Sequence, residues 1–169
     1  MIRLARPSDL ACLADIERSA AARFRGTAVA WAADGDQVPL DELAVAQAAC
    51  LLWVAQPDAE VRGFALAEPM GGDLFLTEMS VALPWQGQGI GRALLRAVLA
   101  HARAAGRYGA VLLTTDRDLP WNAPFYRRLG FVELTPPFPP LLQARLQAES
   151  DAGFDAARRC AMTYRLPHA

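Results

Sequence analysis

The fold is decided by the stretch LFLTEMSVALPWQGQGIG, residues 74–91 of the 169-residue chain. Its first half is an apolar run with the composition of a strand, and its second half places three glycines within five residues, directly before a helical pattern. Glycines let the backbone turn tightly and approach a ligand closely, so the amides of residues 87–92 can point together at a phosphate. The stretch therefore predicts a strand, an anion-binding loop and a helix, in that order.

Two common phosphate-binding motifs do not match this loop. No Lys-Ser/Thr pair follows the glycines, which excludes a Walker loop, and Arg92 stands where the dinucleotide fingerprint has its third glycine. The pattern that remains is Gln-x-x-Gly-x-Gly, from Gln86 to Gly91.

A second motif stands at residues 121–131, WNAPFYRRLGF, and contains Tyr-x-x-x-Gly-Phe from Tyr126 to Phe131. The two motifs, in this order and at this separation, resemble the GNAT family, the acetyl-CoA-dependent N-acetyltransferases. Residues 74–134 carry the resemblance, and the flanking segments resemble the family by layout alone.

Length and periodicity predict one domain over residues 1–169. Strands are predicted at 1–5, 51–55, 61–68, 74–82, 110–115, 131–134 and 159–166, and helices at 10–23, from 41, at 90–105, 122–129 and 141–153. A helical crossover makes strand 110–115 parallel to strand 74–82. The resemblance implies an α/β (α+β) fold with a mixed, mostly antiparallel sheet of about seven strands flanked by helices, splayed between the fourth and fifth strands.

The resemblance also implies where acetyl-CoA, as co-substrate, binds. The amides of the glycine loop would hold its pyrophosphate, pantetheine would pair with the edge of strand 74–82, and the N–H of Val81 would contact the thioester carbonyl. Family members often carry an asparagine seven residues before the tyrosine, where this chain has Leu119, so the role of Asn122 stays open. The predicted cofactor-binding residues are Met79, Ser80, Val81, Gln86, Gly87, Gln88, Gly89, Ile90, Gly91, Arg92 and Asn122.

Two residues are candidates for proton transfer. An alkylammonium has a pKa near 10 and must lose a proton before it attacks, and Glu78 is the only carboxylate between Asp73 and Asp116. Strand alternation leaves open whether Glu78 or Thr77 lines the active face. The resemblance implies that Tyr126 protonates the departing CoA thiolate or hydrogen-bonds its sulfur.

In this family architecture, segments 24–40 and 136–140 would close over the acceptor. Phe24, Trp31 and Phe138 could form an apolar wall there, or they could plug the core. Asp34, Asp36 and Glu42 could attract a cationic amine, or they could be a solvated rim.

Composition limits the other possibilities. The net charge is −1 and like charges form no block, so we expect neither nucleic acid nor a membrane as partner, and a homodimer stays open. The N-terminus resembles no signal peptide, so we expect a cytoplasmic protein. The three cysteines match no metal or disulfide spacing, so we expect no metal and buried, inert thiols at Cys12, Cys50 and Cys160. The chain contains no lysine, which excludes lysine self-acetylation.

The function expected from these observations is N-acetylation of a small primary amine by direct attack in a ternary complex. A first alternative is the same chemistry on a protein N-terminus or side chain. A second is a non-catalytic acyl-CoA-binding regulatory module, against which the presence of both Glu78 and Tyr126 argues.

Overall fold

A computed structural model describes residues 1–167 of the chain. Its helices are α1 (Leu10–Ala21), α2 (Leu40–Ala48), α3 (Ile90–Ala105), α4 (Ala123–Arg127) and α5 (Pro140–Asp151). Its strands are β1 (Ile2–Leu4), β2 (Leu52–Ala55), β3 (Gly63–Met70), β4 (Asp73–Val81), β5 (Ala110–Asp116), β6 (Val132–Glu133) and β7 (Arg159–Arg165). Short 3-10 turns at Pro7–Asp9, Ala22–Phe24, Ala30–Asp34 and Leu83–Trp85 precede or follow these elements.

The strands form a seven-stranded sheet in the order β1-β2-β3-β4-β5-β7-β6. The pairs β1/β2, β2/β3, β5/β7 and β6/β7 are antiparallel, and β4/β5 is parallel. The parallel pair is short, because its register covers only Leu74↔Val111 and Phe75↔Leu112 of the nine residues in β4. The sequence predicted a mixed, mostly antiparallel sheet that is flanked by helices and splayed between its fourth and fifth strands. The structure confirms this prediction.

The chain forms two compact units, and β4 contributes to both. The first consists of residues 1–68 and 77–100, and its core packs Leu13 and Leu43 from the helices against Leu52 and Phe64 from the sheet. The second consists of residues 69–76 and the chain from His101 onward, and its core includes Phe75, Leu112 and Leu142. The glycine loop therefore belongs to the first unit, and Tyr126 to the second.

The C-terminus of α2 overturns one prediction. Cys50 is exposed rather than buried, whereas Cys12 is half-buried and Cys160 is buried. The N–H groups of Cys50 and Leu51 donate to the carbonyls of Gln47 and Ala46 at 3.1 and 2.9 Å, and Cys50 has a φ of 60°. This is a Schellman arrangement, in which the left-handed residue that ends a helix turns its side chain outward in a position usually taken by glycine. The apolar residues on either side of Cys50 in the sequence predicted burial and gave no sign of this turn.

Residues 1–167 contain neither a helix that could span a membrane nor a cluster of metal-binding side chains. Each helix in this range is too short or too polar to cross a bilayer. No group of three or more His, Cys, Asp or Glu side chains in the same range could hold a metal ion.

Candidate active site

Strand β4 carries Glu78 and Thr77 on opposite faces, because successive side chains of a strand alternate. The Ser80 hydroxyl donates to Glu78 Oε1 at 2.7 Å, as expected for residues two apart on one face. The Thr77 hydroxyl instead lies 3.4 Å from Glu68 Oε1, on the opposite face. The two candidates that the sequence left open are thus separated, and each has its own neighbours.

Helix α1 approaches the face of β4 that carries Glu78. It brings Glu17 there, a residue that the sequence analysis missed. Glu17 lies on α1, and the charge of Glu78 acts on it. Its Oε2 accepts the N–H of Val38 at 3.0 Å, which ties α1 to the segment before α2. A signal was present in the sequence, since Glu17 follows Leu10 and Leu13 by seven and four residues on one helix face.

The carboxylates of Glu17 and Glu78 therefore interact electrostatically, and they are called the Glu17–Glu78 pair below. Burial, together with the negative charge of Glu78, raises the pKa of Glu17 to about 7, although the N–H of Val38 opposes the shift. A carboxyl group with this pKa exchanges its proton near neutral pH, where general acids and bases are most effective. The first unit thus places one carboxyl group that exchanges its proton near neutral pH, that of Glu17, beside the segment that was predicted to meet the acceptor.

Glu17→Gln is expected to flatten the pH dependence of stability. Because the folded pKa of Glu17 lies above its unfolded value, the native state holds the extra proton between about pH 4.5 and 7, so stability falls as pH rises through that window. The variant cannot ionise at this position, so its melting temperature should increase relative to that of the wild type as the pH rises. Thermal melts at several pH values measure this, and wild-type and variant curves that stay parallel would contradict the raised pKa of Glu17.

The end of α1 is also connected to the glycine loop. The Ser19 hydroxyl accepts the N–H of Leu83 at 3.1 Å, and Arg23 donates to Gln86 Oε1 at 2.7 Å. Gln86 in turn donates from its amide to the carbonyl of Val81 at 2.9 Å. Gln86, the first residue of the Gln-x-x-Gly-x-Gly pattern, thereby joins the end of β4 to the 3-10 turn that follows α1.

The loop itself has an open, left-handed backbone at two of its glycines. Gly87 and Gly89 have φ values of +76° and +86°, and a Cβ added at either position would meet nothing within 4 Å, so the backbone faces open space. The N–H of Ala93 donates to Gly89 O at 3.0 Å, which is the first bond of α3. The N–H groups of residues 90–92 precede that bond and have no partner within the helix, so they are free to point at an anion. These residues fit the predicted coenzyme A phosphates.

The second unit positions Tyr126 by aromatic packing. Its ring centroid lies 5.1 Å from that of Phe125 and 5.7 Å from that of Phe131, which is buried and also packs on Tyr164. Gly130 has a φ of +93°, and a Cβ there would lie 3.1 Å from the Tyr164 ring. The glycine of the second motif is thus required by a left-handed turn and a close ring contact. Asn122 stands directly before α4, where its side chain caps no helical N–H.

The predicted acceptor residues lie in different surroundings. Phe24 and Trp31 belong to the first unit, where Phe24 is half-buried and 47% of Trp31 is exposed. Phe138 packs against the core of the second unit. Asp34 forms an exposed ion pair with Arg25 at 2.8 Å, so part of its charge is already balanced.

The chain is similar to known proteins in sequence and in fold. Residues 47–133 match the family model described as the acetyltransferase (GNAT) domain. The fold is similar to that of the ribosomal-protein-S18-alanine N-acetyltransferase of Escherichia coli (19% identity, TM-score 0.70, 100% of this chain and 95% of that one). It is similar to that of the PaiA N-acetyltransferase of Thermoplasma acidophilum in complex with coenzyme A (17% identity, TM-score 0.71, 98% of each chain covered). It is also similar to that of N-acetylglutamate synthase of Neisseria gonorrhoeae (15% identity, TM-score 0.74), where the match covers 99% of this chain and 35% of that one.

Proposed function

Because this chain belongs to the GNAT acetyltransferase family and is therefore an acyltransferase, we propose that it moves an acetyl group from acetyl-CoA to the primary amine of a small molecule. The amine attacks directly, in a ternary complex. The observation that supports a cationic acceptor is the Glu17–Glu78 pair, whose negative charge would favour an ammonium group.

Binding of the donor is assigned to the loop and the end of β4. The amides of residues 87–92 hold the pyrophosphate, and residues 79–81 with Asn122 contact the pantetheine arm. Bound acetyl-CoA supplies an activated acetyl thioester. The N–H of Val81 donates to the thioester carbonyl, and a backbone donor aimed at a developing oxyanion is worth roughly 3 kcal/mol of barrier in other acyl-transfer sites.

Proton transfer is assigned to two side chains. Glu78 removes a proton from the acceptor ammonium, directly or through water, since an amine with a pKa of about 10 is almost fully protonated at neutral pH. Tyr126 gives its hydroxyl proton to the departing thiolate. The charge of Glu78 also contributes to the raised pKa of Glu17.

A screen of acceptors tests this proposal. Small primary amines and peptides are compared for the release of CoA thiol in the presence of acetyl-CoA. Turnover of small cationic amines in preference to peptides supports the proposal. Preferential turnover of peptides favours the alternative of a protein acetyltransferase, and tight acetyl-CoA binding without turnover of any acceptor favours a regulatory module.

Glu78→Gln is expected to lower kcat/KM most below neutral pH and progressively less as pH rises, while the fold and acetyl-CoA binding persist. Free amine is scarce at low pH, so the loss of the base matters most there. Rates measured between about pH 6 and 9 test this, because acceptor amines titrate at the upper end of that range and above it.

Two other results of the same experiment are informative. If Glu78 only anchors the ammonium, the variant should raise KM for cationic amines specifically and change little for an uncharged nucleophile. Equal activity of the variant and the wild type at every pH contradicts both roles, and Thr77, on the opposite face of β4, would be the next residue to test.

A further inference from the structure

The helix that carries Tyr126 is too short to hold its own position. Helix α4 has five residues, Ala123–Arg127. Isolated helices shorter than about 12–15 residues are marginal in water, so most of their stability comes from tertiary contacts. What holds the preceding loop, residues 117–122, therefore acts together with the aromatic contacts of the ring to set where the Tyr126 hydroxyl lies.

One buried carboxylate anchors that loop. Asp116 is the last residue of β5 and is only 5% exposed. Its Oδ1 accepts the N–H groups of Asp118 and Leu119, both at 2.8 Å. These two bonds fold the loop back at the end of the strand.

Backbone hydrogen bonds continue from this anchor to the tyrosine. The carbonyl of Leu119 accepts the N–H of Asn122 at 2.9 Å, and the carbonyl of Asn122 accepts the N–H of Tyr126 at 3.2 Å. The carbonyl of Tyr126 accepts the N–H of Phe131 at 3.2 Å, which connects the helix to β6. A displacement of Leu119 would therefore move the start of α4 and the residue that it carries.

The carboxylate is itself held by Arg158. Arg158 Nε donates to Asp116 Oδ2 at 3.0 Å, and its second terminal nitrogen donates to Oδ1 at 3.1 Å. Burial alone would raise the pKa of Asp116, but the N–H groups of Leu119 and Asp118 and the Arg158 guanidinium outweigh it and hold the pKa below its ordinary value. Asp116 therefore stays ionised and keeps its acceptor oxygens for the loop.

We propose that Asp116, held by Arg158, is a positioning residue that sets the location of the Tyr126 hydroxyl during the acetyl transfer. This inference rests on the proposed function, in which Tyr126 protonates the leaving thiolate. Asp116 does not itself take part in proton transfer, because its oxygens are occupied by the loop N–H groups and the guanidinium.

The test compares Asp116→Ala and Asp116→Asn. Asp116→Ala should lower kcat by about 10- to 100-fold, since a misplacement of about 1 Å costs that much, and leave the KM for acetyl-CoA within about threefold. Asp116→Asn should lose less, because its amide oxygen can still accept the two N–H groups. If Asp116→Ala does not fold, Asp116→Asn and Arg158→Gln carry the test, and each should lower kcat without raising KM for acetyl-CoA.

Asp118→Asn is the matched control. Asp118 lies in the same loop and contacts the same Arg158 at 3.3 Å, but 59% of its side chain is exposed. Asp118 contributes only its backbone N–H to the bonds with Asp116, and the substitution leaves that group in place. The kcat of Asp118→Asn should therefore remain near that of the wild type. A loss in this variant as large as in Asp116→Asn would contradict a specific role for the buried carboxylate.

A double-mutant cycle separates this inference from the proposed function. In a Tyr126→Phe background, Asp116→Ala should lower kcat by less than about threefold, because the hydroxyl to be positioned is already absent. Losses that multiply would overturn the positioning role, as would wild-type kcat in a folded Asp116→Ala protein. Wild-type kcat in Tyr126→Phe itself would overturn the role proposed for the tyrosine, whatever the Asp116 variants show.

Discussion

Tyr126→Phe is expected to lower kcat by about 10- to 1000-fold and to leave the affinity for acetyl-CoA near that of the wild type. The change deletes only the hydroxyl, and the ring contacts with Phe125 and Phe131 remain. General acid catalysis acts on the leaving group in the transition state, so its loss appears in kcat. If the alkaline limb of the pH–rate profile reports the acid, that limb should disappear as well.

Tyr164→Phe provides the control for this variant. Tyr164 packs on Phe131 in the same aromatic cluster, and its hydroxyl accepts from Arg103 at 2.6 Å. Loss of that hydroxyl should leave kcat near wild type even if it costs some stability. Steady-state release of CoA thiol measures both proteins, and wild-type kcat in Tyr126→Phe would assign Tyr126 to packing.

Gly89→Asp is expected to abolish the thermal stabilisation that acetyl-CoA gives to the wild-type protein. A ligand at a hundredfold excess over its Kd stabilises the folded state by about 2.7 kcal/mol. In a chain of this size this raises the melting temperature by roughly 2–4 °C for each kcal/mol. The aspartate would place a side chain and a negative charge where the pyrophosphate is expected to bind, and NAD should give no stabilisation in either protein.

Gly106→Asp separates this effect from backbone strain. Gly106 follows α3, has a φ of +63°, and also faces open space. An aspartate there carries a comparable left-handed strain away from the loop, so its stabilisation by acetyl-CoA should equal that of the wild type. An unchanged shift in Gly89→Asp would remove the loop from the donor site.

The strand, loop and helix of residues 74–91 were predictable because each depends on local chemistry. An apolar run favours a buried strand, and glycines at positions 87 and 89 permit the left-handed backbone that the structure contains. The Tyr-x-x-x-Gly-Phe pattern was equally local, since Gly130 is needed at a left-handed turn against Tyr164. Cys50 shows the limit of such reasoning, because an apolar neighbourhood does not reveal that a residue ends a helix in the left-handed region.

The sequence by itself determined the order of the elements and the loop, and it named Glu78 and Tyr126 as candidates for proton transfer. Only the tertiary structure decided their partners. Alternation in β4 placed Thr77 and Glu78 on opposite faces, but the approach of α1 brought Glu17 to the Glu78 side. Arg158 reaches Asp116 across 42 residues of sequence. Periodicity describes a residue's own element, whereas pKa values and hydrogen bonds depend on the neighbours that distant segments bring into contact.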